Sequence, residues 1–399
     1  MRIAMIGYTF YELDPRVKRA ADALLESGHH VDLFVADHDG PRASNDEFLT
    51  IHRLRMRKRR SAALRYAYEY GFFCAWAFML VSLLHARRRY DLVYVHNMPN
   101  FLVFAGCLPK IGGAKVVLDV HDPAPELLAS IRGRDLPGWM HSLVTAEERV
   151  SMSFSDALIT VNESMRRRIS ARSGRPVTVV MNLPDPAVFD AREEPRERDG
   201  ADWLVYTGSI AYRHGVDLVV EALALLKDEF PALRVRIIGT GPALESVVRM
   251  AADLGVADRV DFLGFIPNHE IPGLVSRATA GLSPQREDTF GSLVFSMKVA
   301  EYIALGLPVV CSGTTTMRHY FDDDELMFFE PASAHDLARA IRDLLTNPAA
   351  AGEHAARSQI KLRKLDWPAQ KEALVASVEA LAGAKIQRSR DESTMVRRP

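Results

Sequence analysis

Short apolar runs alternate with helical patterns along almost the whole chain. Residues 2–6 form one such run, residues 17–26 carry helical spacing, Gly28 stops that helix, and residues 30–35 form the next run. Brief, nearly continuous apolar runs bounded by turn residues read as strands buried on both faces, and strand–helix–strand order makes neighbouring strands parallel. Residues 92–96, 115–120 and 157–161 continue the same grammar, which predicts a first doubly wound sheet.

From 181 the alternation lapses into Pro184, Pro186, Pro195 and a charged run over 192–199, a composition that marks a linker. A second alternating set follows: strand patterns at 203–206, 233–238, 260–262, 281–283 and 308–311, with helical patterns at 216–230 and 242–254. The predicted fold class is α/β, with two doubly wound Rossmann-like domains. They span 1–180 and 201–365, joined by a linker at 181–200. A helix over 366–385 is expected to pack back toward the N-terminal domain. The tail, 386–399, has almost no apolar residues to bury and is expected to be disordered.

A chain of 399 residues is long enough for two such cores. Acidic and basic residues nearly cancel, giving a net charge of −1, and no reader motif appears, so nucleic acid is not an expected partner. Cys74, Cys107 and Cys311 are scattered through apolar runs, which fits neither a disulfide framework nor a zinc site and points to a reducing compartment. The chain opens directly on a strand, with no basic segment and apolar core of a leader, so a cytoplasmic location is expected. The apolar stretch at 70–84 is shorter than the roughly 20 residues that span a bilayer.

In doubly wound sheets, ligands sit beyond the carboxyl ends of the strands, where loop amides and helix N-termini attract anions. Four loops have the right composition. After the strand ending at Tyr206 comes Thr207-Gly208-Ser209-Ile210-Ala211-Tyr212-Arg213-His214-Gly215, small residues and a cation before a helix, which reads as a diphosphate loop or as an ordinary turn. Gly239-Thr240-Gly241-Pro242 closes the next strand. Phe265 and Ile266 offer main-chain hydrogen bonds and an apolar wall for a nucleobase. In the first half, Gly7 opens a loop to Asp14 where backbone can approach a ligand.

The most informative run begins Leu282-Ser283-Pro284-Gln285, passes through Lys298-Val299-Ala300-Glu301-Tyr302, and ends Ala304-Leu305-Gly306-Leu307-Pro308-Val309-Val310. It resembles the nucleotide-sugar site of the family 4 retaining glycosyltransferases, in the variant that reads K-x-x-E-Y-x-A-x-G-x-P-V-V. The resemblance extends over nearly the whole chain and implies a GT-B fold, two Rossmann-like domains facing across a cleft. It implies Glu301 as acceptor for the ribose hydroxyls, Arg213 and Lys298 beside the diphosphate, and no metal, so that Asp322-Asp323-Asp324 reads as a solvated loop. Two departures stand out. Many relatives have arginine and lysine where this chain has Ser209 and His214, and the commoner first glutamate falls on Leu293.

His121-Asp122-Pro123-Ala124-Pro125-Glu126 places titratable groups at a strand's carboxyl end. The run resembles the D-x-H-D-x-x-P-E signature of some family members, in which the histidine faces the transferring sugar. His121 and Asp122 are therefore catalytic candidates, although Asp122 also suits a helix cap. His96-Asn97-Met98-Pro99-Asn100 resembles an acceptor-side segment of the same relatives, and turn packing explains it equally well.

A basic segment at 53–60 precedes the aromatic and aliphatic stretch 66–84, and Arg87-Arg88-Arg89 follows it. This order suits peripheral attachment to an anionic membrane on the inner face of the plasma membrane. A buried helix beside a solvated loop is the competing reading. The expected activity is transfer of a sugar from a nucleotide diphosphate sugar to a saccharide or lipid-linked acceptor in cell-envelope or exopolysaccharide biosynthesis. The rivals are a sugar-nucleotide epimerase of the same fold and a non-catalytic sugar-nucleotide-binding protein.

Overall fold

The computed structural model describes residues 1–37, 43, 45–55, 63–186, 188–189, 202–267, 269–365 and 367–395. The charged run at 192–199 and most of the basic segment at 53–60 lie outside them. The chain divides into two compact units. One comprises Met1–Leu128, Leu136–Met181 and Pro368–Pro399; the other comprises Ala129–Asp135 and Asn182–Trp367.

The first unit is built on β1 (Arg2–Gly7), β2 (His30–Ala36), β3 (Leu49–Leu54), β4 (Leu92–His96), β5 (Lys115–Val120), β6 (Ala157–Thr160) and β7 (Thr178–Val179). They form one sheet in the order β3-β2-β1-β4-β5-β6-β7, every pair parallel. The order reverses between β1 and β4, which opens a crevice at their carboxyl ends. Strands β3 and β7 were not predicted. β3 reads Leu-Thr-Ile-His-Arg-Leu and is a half-exposed edge strand, so it lacks the solid apolar run that marks the interior strands.

The second unit is built on β8 (Asp202–Thr207), β9 (Leu233–Ile238), β10 (Val260–Gly264), β11 (Ala280–Ser283), β12 (Val309–Ser312) and β13 (Met327–Phe329), in the order β10-β9-β8-β11-β12-β13. All pairs are again parallel, and the reversal falls between β8 and β11. Leu204, Val235 and Ile237 of this sheet pack against Leu218, Val219 and Leu223 of the helix Val216–Leu226. Each such fully buried aliphatic side chain stabilises the fold by roughly 1.5–3 kcal/mol.

Two helices differ from expectation. The apolar stretch of the first unit belongs to a helix of 26 residues, Ala63–Arg88, and its segment Tyr68–Arg88 is long and apolar enough to cross a membrane by length and composition. The shorter span read from sequence ended at Leu84 with the densest apolar run, but His85 and Ala86 continue the helix without breaking it. Its Phe73, Ala77 and Val81, one helical turn apart, are buried in the first unit, and Glu69 on the same stripe accepts a hydrogen bond from the Tyr8 hydroxyl at 3.0 Å.

The C-terminal helix runs Trp367–Met395 and buries Leu374 and Val378 in the first unit, where Gln370 Oε1 accepts from Met181 N at 2.8 Å. The stretch 386–395, expected to be disordered, continues this helix. It contains neither glycine nor proline, so nothing in its backbone chemistry stops a helix already started.

Candidate active site

In the second unit, the loops after β8 and β9 are laced together at the backbone. Gly208 N donates to Ile238 O at 2.9 Å, Ile210 N to Thr240 O at 2.9 Å, and Ala243 N to Ile210 O at 3.0 Å. This lacing is why the glycines stand where they do. Gly239 has φ +145°, and a Cβ there would lie 1.9 Å from Gly208 O; one on Gly241 would lie 2.2 Å from Ile210 O. These two glycines are required by the neighbouring loop. Gly239 N also donates to Gly264 O at 2.7 Å, which ties in the loop of Phe265 and Ile266. Phe265 is 69% exposed, an aromatic face left open at a strand's carboxyl end.

The helix Met297–Ala304 carries Lys298 and Glu301 one turn apart. Tyr302 fixes it to β8: its hydroxyl oxygen accepts from Thr207 N at 2.8 Å, and its ring fills the space over Gly281. Lys298 consequently reaches the β8 loop. Its Nζ lies 4.8 Å from the centroid of the Tyr206 ring, and a Cβ on Gly208 would meet its Cε at 3.4 Å. Burial lowers the Lys298 pKa to about 8, against the opposing pull of Glu301. Arg213 and His214 share this corner, where Arg213 Nε and His214 Nδ1 are buried without a hydrogen-bond partner. Burial, Lys298 and Arg213 together lower His214 to about 3, so this histidine is neutral near pH 7. The loop therefore gathers two cations, Arg213 and Lys298, among exposed backbone at Gly208 and Ser209.

Leu293 is buried, and the nearby acids have other work. Glu287 Oε1 accepts from Thr315 N at 2.8 Å and Thr315 Oγ1 at 2.6 Å, while Asp288 Oδ1 accepts from Phe290 N and Gly291 N. Arg286 holds Asp217 in a two-pronged ion pair and stacks on Tyr212, which stiffens the loop after β8. The Asp322–Asp324 carboxylates are exposed and pair with Lys361, Arg318 and Arg357.

In the first unit, the register of β1, β4 and β5 sets Gly7 opposite His96 and His96 opposite Asp119. His121 follows Asp119 by two residues, so both side chains leave the same face of the chain. Asp119 Oδ2 accepts from the Tyr94 hydroxyl at 2.8 Å and lies 3.3 Å from His96 Nδ1 and 3.2 Å from His121 Nε2; the two ring nitrogens are 3.1 Å apart. Burial alone would raise the Asp119 pKa, but His121 and the hydrogen bonds from both imidazoles outweigh it and hold the carboxyl far below its usual range. Burial lowers the pKa of His96. Among the described residues this is the group with the donor types and spacing to hold a metal ion.

Asn97 clamps the turn beside it, its Oδ1 accepting from His121 N at 2.8 Å and its Nδ2 donating to Asp122 O at 2.7 Å. The Asp122 carboxylate stands apart from the histidines, 3.8 Å from Arg16. Arg16 itself is engaged by Asp14, the N-cap of the helix Pro15–Glu26. His121 was legible in the sequence. Asp119, Tyr94, His96 as its partner, and Arg16 were not singled out, because only the strand register brings them together.

The comparisons agree with this picture. Residues 13–184 match the family model described as glycosyl transferase 4-like domain, and residues 188–363 match the model of glycosyl transferases group 1. The chain belongs to the family 4 glycosyltransferases, and its fold is of the GT-B class. Among curated relatives, the 2-deoxystreptamine glucosyltransferase of Streptomyces kanamyceticus is 25% identical over 353 residues, covering 84% of this chain and 89% of that protein. Among solved structures, sucrose-phosphate synthase from Thermosynechococcus elongatus aligns with a TM-score of 0.78 at 18% identity, covering 96% and 99% of the two chains. HepE of Anabaena, solved in complex with UDP and glucose, aligns with a TM-score of 0.71 at 14% identity over 95% and 100%.

Proposed function

We propose that this glycosyltransferase transfers a sugar, with retention at the anomeric carbon, from a nucleotide diphosphate sugar to a saccharide or lipid-linked acceptor of the cell envelope or an exopolysaccharide. The observation that carries the donor reading is the joint placement of Lys298, Glu301 and Arg213 at the β8–β11 switch point. Glu301 accepts the ribose hydroxyls, Phe265 and Ile266 flank the base, and Arg213, Lys298 and the amides around Gly208 and Ser209 take the diphosphate. In the transfer, the bond from the anomeric carbon to the phosphate oxygen breaks and the bond to the acceptor oxygen forms. The acceptor's proton passes to the departing diphosphate. Negative charge grows on that diphosphate, and two fixed cations supply the stabilisation that a metal ion would otherwise provide. His121, in the first unit, is the residue that the family resemblance assigns to the transferring sugar.

The Ala63–Arg88 helix supports a lipid-linked acceptor taken up at the cytoplasmic face of the membrane. Its inner stripe is packed, yet Tyr68, Phe72, Phe78, Met79 and Leu83 are exposed on the other side, and Arg87 and Arg89 are exposed at its end. Apolar residues flanked by cations fit the boundary of an anionic bilayer. The basic reach is smaller than the sequence implied, since Arg53 is held by Glu12 at 2.6 Å and Arg88 by Asp32 at 3.2 Å.

The test is thermal-shift screening with uridine, guanosine and adenosine diphosphate sugars, followed by transfer to lipid-linked acceptors in vesicles with a chelator present. One donor should stabilise the protein, and the product should keep the donor's anomeric configuration. Donor turnover to an epimer without acceptor, or binding with no turnover on any acceptor, would overturn the assignment. Vesicles rich in phosphatidylglycerol should sediment the protein and phosphatidylcholine vesicles should not. Phe72→Glu with Met79→Glu should abolish the difference, and retained sedimentation would remove the membrane reading.

A further inference from the structure

We propose that Asp119 is the positioning residue of His121: its carboxylate holds the Nε2 proton of that ring, with His96 and Tyr94 as the other two arms of the grip. The inference rests on the assignment of His121 to the reacting sugar and adds what sets that histidine's tautomer and direction.

Proton accounting at one oxygen carries it. An ionised carboxylate oxygen offers only lone pairs, so an imidazole nitrogen 3.2 Å away is attracted only when it bears a hydrogen. Asp119 Oδ2 faces the Tyr94 hydroxyl at 2.8 Å, His96 Nδ1 at 3.3 Å and His121 Nε2; the two ring nitrogens are themselves 3.1 Å apart, within hydrogen-bond reach, but a lone pair on either would face the ionised oxygen, so each is inferred to turn a hydrogen toward it. With its proton committed to Nε2, a neutral His121 carries its lone pair on Nδ1, and its ring plane is fixed by the carboxylate. The rings of His96 and His121 lie nearly parallel, 20° apart with centroids at 5.4 Å, so His96 also limits tilt.

Burial makes the grip strong. His96, Asp119 and His121 are 2%, 5% and 6% exposed, so little water competes for these contacts. Asp119 Oδ1 and His96 Nε2 are buried without a hydrogen-bond partner, an arrangement that costs stability. A carboxylate serving packing alone would gain by satisfying both oxygens. One that spends a single oxygen on three donors is organised around those donors, of which His121 is the one whose backbone N–H the Asn97 clamp holds, just past the end of β5.

The experiment uses the full chain labelled with ¹⁵N-histidine, His121 being assigned by comparison with His121→Gln. The expected spectrum shows His121 protonated at Nε2 in the unaltered protein. In Asp119→Asn this preference should vanish. The rate constant kcat should fall about 10- to 100-fold, the usual loss when a partner orienting a functional imidazole is removed, with donor affinity nearly unchanged. Asp119→Glu should restore part of both. An unprotonated Nε2 in the unaltered protein overturns the proposal without reference to any variant, as does an Asp119→Asn protein that keeps both the tautomer and the rate. Activity lost to a chelator and restored by zinc would put an ion where the proton is inferred, and would overturn it too. Full activity of His121→Gln would sink the role given to His121 itself, while the nitrogen spectrum would still decide what Asp119 holds.

Discussion

Lys298 Nζ lies 4.8 Å from the Tyr206 ring centroid while its Cε lines the space above Gly208, so one ammonium is fixed at the mouth of the loop expected to take the diphosphate. Its pKa, lowered by burial to about 8, makes that charge conditional. Below pH 8 the group is charged; above it the group is neutral. Donor affinity should therefore be flat to about pH 8 and fall beyond it, with proton uptake on binding near pH 8–9. Calorimetry in buffers of different ionisation enthalpy measures this. Lys298→Met should abolish the uptake and weaken the donor, yet raise the thermal midpoint of the free protein, since a buried cation is removed. An unchanged proton balance in that variant would count against the placement.

Glu301→Ala should weaken donor binding by about 1.5–3 kcal/mol, the range for hydrogen bonds to a charged group. The cause can be isolated with a nucleoside diphosphate lacking both ribose hydroxyls. That compound should bind the original protein and the variant equally well, closing a double-mutant cycle. A difference that persists without the hydroxyls would mean that Glu301 acts elsewhere.

Gly239→Ala forces a Cβ to within 1.9 Å of Gly208 O at a φ of +145°. Backbone cannot yield as a side chain can, so a loss of about 2–4 kcal/mol in urea unfolding is expected. Gly208→Ala also strains the backbone, at a φ of +128°, but its Cβ meets side-chain atoms of Lys298 and Tyr206 at 3.4 Å and beyond rather than backbone, so it should cost less stability than Gly239→Ala and more donor affinity. Equal unfolding midpoints for the two variants would contradict the interlocked-loop account.

Arg172 is the shared partner of two buried carboxylates, Glu126 and Glu148. Burial raises the Glu148 pKa and Arg172 opposes that rise. Arg172→Ala leaves Glu148 uncompensated and Glu126 with Arg168 alone, at 3.6 Å, and should destabilise the first unit by about 3–5 kcal/mol. Donor affinity of the folded protein should not change, because Arg172 belongs to the unit that does not carry Lys298 and Glu301. Chemical denaturation and calorimetry read the two quantities separately.

What the sequence revealed follows from how far apart the cooperating residues lie. Lys298 and Glu301 are one helical turn apart, and Thr207 to Gly215 is one continuous loop, so local spacing exposed both. Interior strands such as β4 and β5 announced themselves as solid apolar runs. The grip on His121 joins Tyr94 and His96 to Asp119 across two strands, and its geometry depends on the register Tyr94↔Val117 and His96↔Asp119. Periodicity identifies strands without aligning them, so that partnership stayed hidden although each residue was in view. The same limit applies to charge: Arg53 and Arg88 look like free surface cations in a basic stretch, and only the fold shows Glu12 and Asp32 already holding them.

The return of the C-terminal helix to the first unit gives the molecule an unusual topology of dependence. Leu374 and Val378 complete a core whose other residues were laid down before Met181, so that core stays unfinished until synthesis has passed through the entire second unit. Shortening the chain from its far end would accordingly injure the unit at its beginning, and a chain ending at Trp367 would hold every residue of the second unit beside a first unit still missing its last wall.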